Sequence, residues 1–133
     1  KKEVMVSLGS SMGNDELGQL CGHASVALAR LRDTPPVRDP AIHTFDLSGN
    51  PRVTDKGVLD HLRPFLSAWP NVQRLKLFRC SVGNKGVENL STWVANGHPR
   101  ELHLAGLLGK FTPQGLAKLL QAIHRSGRYP SKV

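Results

Sequence analysis

Apolar residues recur along this chain in two alternating rhythms, and the alternation predicts its elements. Four short segments place apolar residues two positions apart: Val6-Ser7-Leu8, Phe45-Asp46-Leu47, Leu75-Lys76-Leu77 and Leu102-His103-Leu104. A period of two belongs to a strand with one buried face. Each triplet leads to a block with apolar residues three and four apart, the period of a helix face. The first block holds Leu17, Leu20, Cys21, Ala24, Ala27, Leu28 and Leu31, and the second Val58, Leu59, Leu62, Phe65, Leu66 and Trp69. The third holds Val87, Leu90, Trp93 and Val94, and the fourth Leu116, Leu119, Leu120 and Ile123. Thr54-Asp55 and Thr112-Pro113 put an N-cap residue before a helical run, with Pro113 suited to the first turn. Gly97 and Gly127 fit helix ends. Pro64 falls inside the second block, where it removes a backbone donor, so a kink or break is expected near Leu62. Residues 32–40 carry three prolines and read as a loop.

The unit of strand, loop and helix therefore occurs four times, near residues 3–41, 42–71, 72–98 and 99–128. The triplets stand 30 residues apart from Leu47 to Leu77 and 27 from Leu77 to Leu104. From Leu8 to Leu47 the spacing is 39, the excess lying in the Pro-rich loop. Self-similarity at such a period marks stacked repeats, each burying its apolar face on its neighbours.

Around the middle triplets the pattern extends to Ile42-x-x-Phe45-x-Leu47-x-x-Asn50-x-x-Val53 and Val72-x-x-Leu75-x-Leu77-x-x-Cys80-x-Val82. This resembles the leucine-rich-repeat family, in its ribonuclease-inhibitor-like class with a full helix per repeat. The end repeats depart from it, with Pro99 and Leu107 in the fourth, and Glu3 and Ser11 in the first, at the leading apolar and the Asn/Cys positions. The resemblance implies an α/β fold: a short curved solenoid of about four strand–helix repeats, with parallel strands on the concave face and helices on the convex one. Phe45, Leu47, Leu75, Leu77, Leu102 and Leu104 would point inward, and the Asn50 or Cys80 side chain would serve loop backbone groups. Trp69 and Trp93 are expected to pack together between neighbouring repeats. Neither end carries a strongly polar cap. This predicts that missing sequence or a partner covers the ends, and that the single domain of residues 1–133 is a fragment or subunit of a larger assembly.

Composition narrows the function. The 133 residues suit one domain, and aromatic residues make up only 5%, so the core is aliphatic. No stretch approaches the roughly 18 to 20 apolar residues of a membrane helix. Two cysteines do not make a disulfide scaffold, and unpaired thiols suit a reducing intracellular compartment, cytoplasm or organelle matrix. Eighteen Lys and Arg against ten Asp and Glu give a net charge of +8. From residue 102 onward there are five basic residues and no acidic one, which makes the C-terminal third the basic end.

Two candidate surfaces follow. Strand residues between the inward ones would face the concave side: Thr44, Asp46 and Ser48, then Arg74, Lys76 and Phe78, then Glu101 and His103, with Ser7 in the same row. Charges that orient a partner and an exposed aromatic that anchors it suit protein recognition. The second surface is the loop edge and basic end, with Arg79, Lys85, Arg100, Lys110, Arg125 and Arg128, which would contact phosphate or an acidic partner. The six histidines and two cysteines show no C-x-x-C or H-x-x-x-H spacing, so no metal is expected. Gly9-Ser10-Ser11-Met12-Gly13 is not followed by Gly-Lys-Ser/Thr, and no G-x-S-x-G occurs. The reading is a non-enzymatic protein–protein recognition or scaffold module, a structural subunit or segment of a larger complex, with no cofactor and no small-molecule substrate. The alternative is a basic RNA- or ribonucleoprotein-associated subunit that contacts phosphate through its C-terminal basic end.

Overall fold

Each apolar triplet coincides with a strand or its end in the computed structural model, which describes residues 3–33, 41–97, 99–127, 130, 131 and 133. The strands are β1 (Glu3–Ser7), β2 (Ala41–Asp46), β3 (Val72–Lys76) and β4 (Glu101–His103). They form one parallel sheet in the order β1-β2-β3-β4. Parallel neighbours in chain order need a crossover each time, and the first three of the four helical blocks supply them. The blocks are α1 (Asn14–Arg32), then α2 (Asp55–Gly57) continuing through a π turn (Val58–Leu62) into α3 (Arg63–Ala68). Next come α4 (Asn84–Asn89) with α5 (Ser91–Gly97), and finally α6 (Pro113–Ser126). The helices pack on one another in sequence order, α1 on α2, α2 on α4, and α6 on α4 and α5. The protein is thus α/β, a four-stranded parallel sheet backed by a layer of helices.

The core lies between these layers. Phe45, Leu47, Leu75, Leu77 and Leu102 are fully buried, together with Leu17, Leu28, Leu62 and Leu90 from the helices. Leu104, expected inward with them, is only half-buried in the last repeat. Leu116 and Leu120 also differ from expectation. They are 37% and 48% exposed, because α6 buries its other face, through Leu119 and Ile123. The tryptophans do not stack on each other. Trp93 is buried and donates its indole N–H to the Pro70 carbonyl (3.0 Å), while the Arg32 guanidinium lies 4.9 Å from the Trp69 ring centroid.

Pro64 disturbs its helix without ending it. The Arg63 N–H reaches back five residues to the Val58 carbonyl, so the turn before Pro64 is widened to a π turn and the helix continues. α1 runs to Arg32; the expected loop lies outside the described residues from residue 34 to residue 40.

Successive repeats are joined where the loops meet the helices. Asn50, fully buried, donates to the Leu47 carbonyl (2.8 Å) and accepts the Met12 N–H of the preceding loop (2.7 Å). Cys80 occupies the equivalent place and donates its S–H to the Leu47 carbonyl one repeat back (3.0 Å). Thr54 and Thr112 are N-caps as expected, but neither hydroxyl caps its own helix. Each instead accepts from the asparagine that opens the helical block before, Asn14 or Asn84 (2.9 and 2.8 Å).

Candidate functional site

The sheet face away from the helices is open, and parallel register sorts its side chains into two rungs. One rung runs Met5, Thr44, Arg74, Glu101; the next runs Ser7, Asp46, Lys76, His103. Arg74 and Glu101 meet in the first, with Nε donating to Oε2 at 2.5 Å. The other carboxylate oxygen of Glu101 bonds His103 Nε2 at 2.8 Å, linking the two rungs. The His103 ring meets Phe78 edge to face, with centroids 5.2 Å apart and planes at 75°. On the other side Arg74 Nη1 bonds His43 Nε2 (2.9 Å), whose Nδ1 bonds the Thr44 hydroxyl (2.8 Å). One connected network therefore spans β2, β3, β4 and the turn after β3.

The network has an electrostatic consequence. The Arg74 guanidinium, and then His103, hold the Glu101 carboxyl below its ordinary range by bonding its ionised form. Arg74, Glu101 and His103 side chains are only 23%, 20% and 10% exposed, so they pack against each other while showing one edge to solvent.

His43 is the member that sequence reasoning missed. Strict alternation from Phe45 turns it inward. The β1–β2 register shifts by one residue between Val4 and Met5, so β2 carries one extra residue there. The register makes His43 that residue, and a bulge re-aims its side chain. Other residues also behave differently from expectation. Thr44 is buried, only 3% exposed, and its hydroxyl is hydrogen-bonded to His43 Nδ1. Asp46 and Lys76 are register neighbours, but the Asp46 carboxylate accepts the Ser48 N–H (2.9 Å) and makes no ion pair with Lys76. Ser48 and Phe78 sit half-buried in the turns that follow their strands.

The basic residues do not form one patch. Arg79, Lys85 and Lys110 lie at the edge where strands end and helices begin. Arg79 is in the turn after β3, Lys85 is the second residue of α4, and the Lys110 carbonyl accepts the Asn84 N–H (3.0 Å). Arg52 and Lys56, which the sequence reading passed over, occupy the same edge one repeat earlier, with Arg52 against Gly13. Arg100 precedes β4 and Arg125 lies in the last turn of α6, at the opposite edge of the sheet. The Ser131 N–H bonds the Arg100 carbonyl there (2.7 Å). Arg128 lies outside the described residues.

The two thiols are buried, and burial pushes Cys21 up to about 12 and Cys80 up to about 11. Among the described residues no three His, Cys, Asp or Glu side chains gather as a metal site would require, and no helix is long and apolar enough to cross a membrane. No model of a known protein family matches the chain, and comparison with curated proteins finds no match.

Proposed function

We propose that this chain is a leucine-rich-repeat solenoid of the ribonuclease-inhibitor-like class, and that it acts as a non-enzymatic protein-recognition or scaffold module in a larger intracellular complex. The observation that carries the recognition role is the connected network on the open sheet face. Arg74, Glu101 and His103 hold one another in fixed positions beside the half-buried ring of Phe78. Side chains already ordered lose little entropy when a partner arrives, and an aromatic rimmed by charge is the usual composition of an interface centre. The in-register triplets and the inter-repeat bonds of Asn50 and Cys80 support the repeat assignment. Leu108, Leu116 and Leu120, 57%, 37% and 48% exposed in the last repeat, support membership of an assembly.

The test is affinity capture from native extract with nuclease present, using wild type and a Lys76→Glu/Phe78→Ala variant. Neither residue is part of the buried core, so the variant should melt close to wild type. A partner retained by wild type and lost by the variant places recognition on the open face. Equal retention by both would overturn that placement.

A further inference from the structure

We propose that the loop edge of the sheet, lined by Arg52, Lys56, Arg79, Lys85 and Lys110, binds the phosphodiester backbone of a nucleic-acid strand. This surface is separate from the open face and goes beyond the role assigned to it. All five side chains are exposed. None of them forms an ion pair or a side-chain hydrogen bond with another described residue. Of the nearby carboxylates, Asp15 is exposed at the second position of α1, while the other three are engaged with the protein's own backbone. Asp55 Oδ1 accepts the Gly83 and Gly86 N–H groups (2.7 and 3.0 Å), Glu16 accepts the Gly13 N–H (3.0 Å), and Asp46 accepts that of Ser48. Between the second and fourth repeats the edge therefore presents cations unpaired among the described residues beside carboxylates already engaged, and Asp15 marks its end at the first repeat.

The cations are ordered by the repeat. Lys56 and Lys85 hold the same helical position in successive repeats, and Lys110 sits against the start of α4 beside Lys85. Such a row matches a polymer that carries one charge per monomer, which a phosphodiester strand does whatever its sequence. Arg79 adds an independent observation. Its φ is +61°, whereas the corresponding turns of the second and fourth repeats use Gly49 and Gly106 (+78° and +67°). A charged side chain stands where the backbone favours glycine, and it makes no hydrogen bond or ion pair with another described residue. Strain of this kind is retained where an external contact offsets it, and a forked guanidinium is well shaped for phosphate. An acidic protein segment is the other occupant such an edge attracts.

The test is fluorescence anisotropy with labelled 20-nucleotide RNA and DNA single strands and with labelled poly-glutamate, from 50 to 200 mM salt. Five phosphate contacts predict a log–log salt slope of about −3.5 and so about a 100-fold loss of affinity over that range. The Arg79→Gly/Lys85→Gln/Lys110→Gln variant should lose about 2 from the slope, with an unchanged circular dichroism spectrum. Arg100→Gln/Arg125→Gln, at the opposite edge, should bind like wild type. The two oligonucleotides separate RNA from DNA as the source of the phosphate. The proposal is overturned if neither oligonucleotide binds at 50 mM salt, or if the triple variant keeps the full slope. It is equally overturned if the opposite-edge variant loses as much, or if poly-glutamate binds as tightly as the oligonucleotides.

Discussion

Asn84 and Thr112 bond each other twice across a repeat boundary: Asn84 Oδ1 accepts the Thr112 backbone N–H (2.9 Å), and Nδ2 donates to the Thr112 hydroxyl (2.8 Å). Asn14 and Thr54 make the same pair one boundary earlier (3.0 and 2.9 Å). Between them Asp55 accepts the Gly83 N–H, so the first side chains of α1, α2 and α4 cap the starts of α2, α4 and α6 respectively. At α1 the Glu16 carboxylate caps Gly13 from within its own helix, and at α6 the first residue is Pro113, which offers no side-chain acceptor. Asn84→Ala removes both bonds and leaves the Thr112 N–H without its acceptor. It should destabilise the fold by about 1 to 2 kcal/mol in a urea melt. Asn84→Asp keeps the acceptor and should cost less than half as much.

The same ladder dictates glycine three residues into each helix that receives a cap. A Cβ on Gly57 would collide with the Asn14 carboxamide, and one on Gly115 with that of Asn84. A Cβ on Gly86 would lie 2.5 Å from Asp55 Oδ1. In an open helix, Gly→Ala gains roughly 0.5 to 1 kcal/mol. At Gly57 and Gly115 the collision should reverse that sign, with Ala destabilising by about 1 to 3 kcal/mol. Gly22 in α1 has nothing within 4 Å of its would-be Cβ. Gly22→Ala should therefore raise the melting midpoint while Gly57→Ala and Gly115→Ala lower it.

Much of this architecture is legible in the sequence because the two apolar periods are local and unambiguous. The triplets give the strands, and the middle residue of each of the last three yields the rung neighbours Asp46, Lys76 and His103. What escaped depends on relations between residues far apart. Asn14, Asp55 and Asn84 look like ordinary helix openers, and only their spacing relative to Gly57, Gly86 and Gly115, 31 to 43 residues away, betrays the ladder. His43 escaped because a bulge breaks the period of two, and nothing in Ala41-Ile42-His43-Thr44 marks it. The basic end divided because a count along the chain ignores that a repeat folds back. Lys110 and Arg125 are close in sequence and lie toward opposite ends of the last helical block.

Arg79 separates stability from binding. Left-handed backbone costs a non-glycine L-residue about 1 kcal/mol or more. Among the described residues the Arg79 side chain has no hydrogen bond or ion pair that its removal would break. Arg79→Gly should therefore stabilise the protein by roughly 0.5 to 1 kcal/mol, seen as a higher urea midpoint at unchanged m-value. The same variant should weaken binding at the loop edge. A destabilised Arg79→Gly would mean that the guanidinium holds the turn together from within.

The buried thiols predict both reactivity and a pH slope. Cys80 titrates near 11 and Cys21 near 12 in the folded chain, against an ordinary thiol value near 9. Between about pH 9 and 12 the unfolded chain loses these protons while the folded chain keeps them, so stability should fall as pH rises through that window. At neutral pH neither thiol should react with a disulfide reagent until denaturant is added, because the thiolate is the nucleophile. Rapid labelling of native protein would place at least one thiol outside the core.

Glu101 titrates in the opposite sense. Its carboxyl lies below its usual range in the fold because Arg74, and secondarily His103, bond the ionised form. The unfolded chain, which lacks these partners, takes up the proton first as pH falls. The contribution of Glu101 to stability is therefore present above the ordinary carboxylate pKa and is lost as pH drops through the depressed one. Arg74→Gln removes the larger cause and should move the Glu101 carboxyl back up toward the ordinary range, read as its side-chain carbon shift in an NMR titration. His103→Phe removes the smaller cause and should produce a smaller rise. If His103→Phe shifts Glu101 more than Arg74→Gln does, the histidine, rather than the arginine, organises the open face. The 2.5 Å contact between Arg74 and Glu101 would then be secondary to the bond across the rungs.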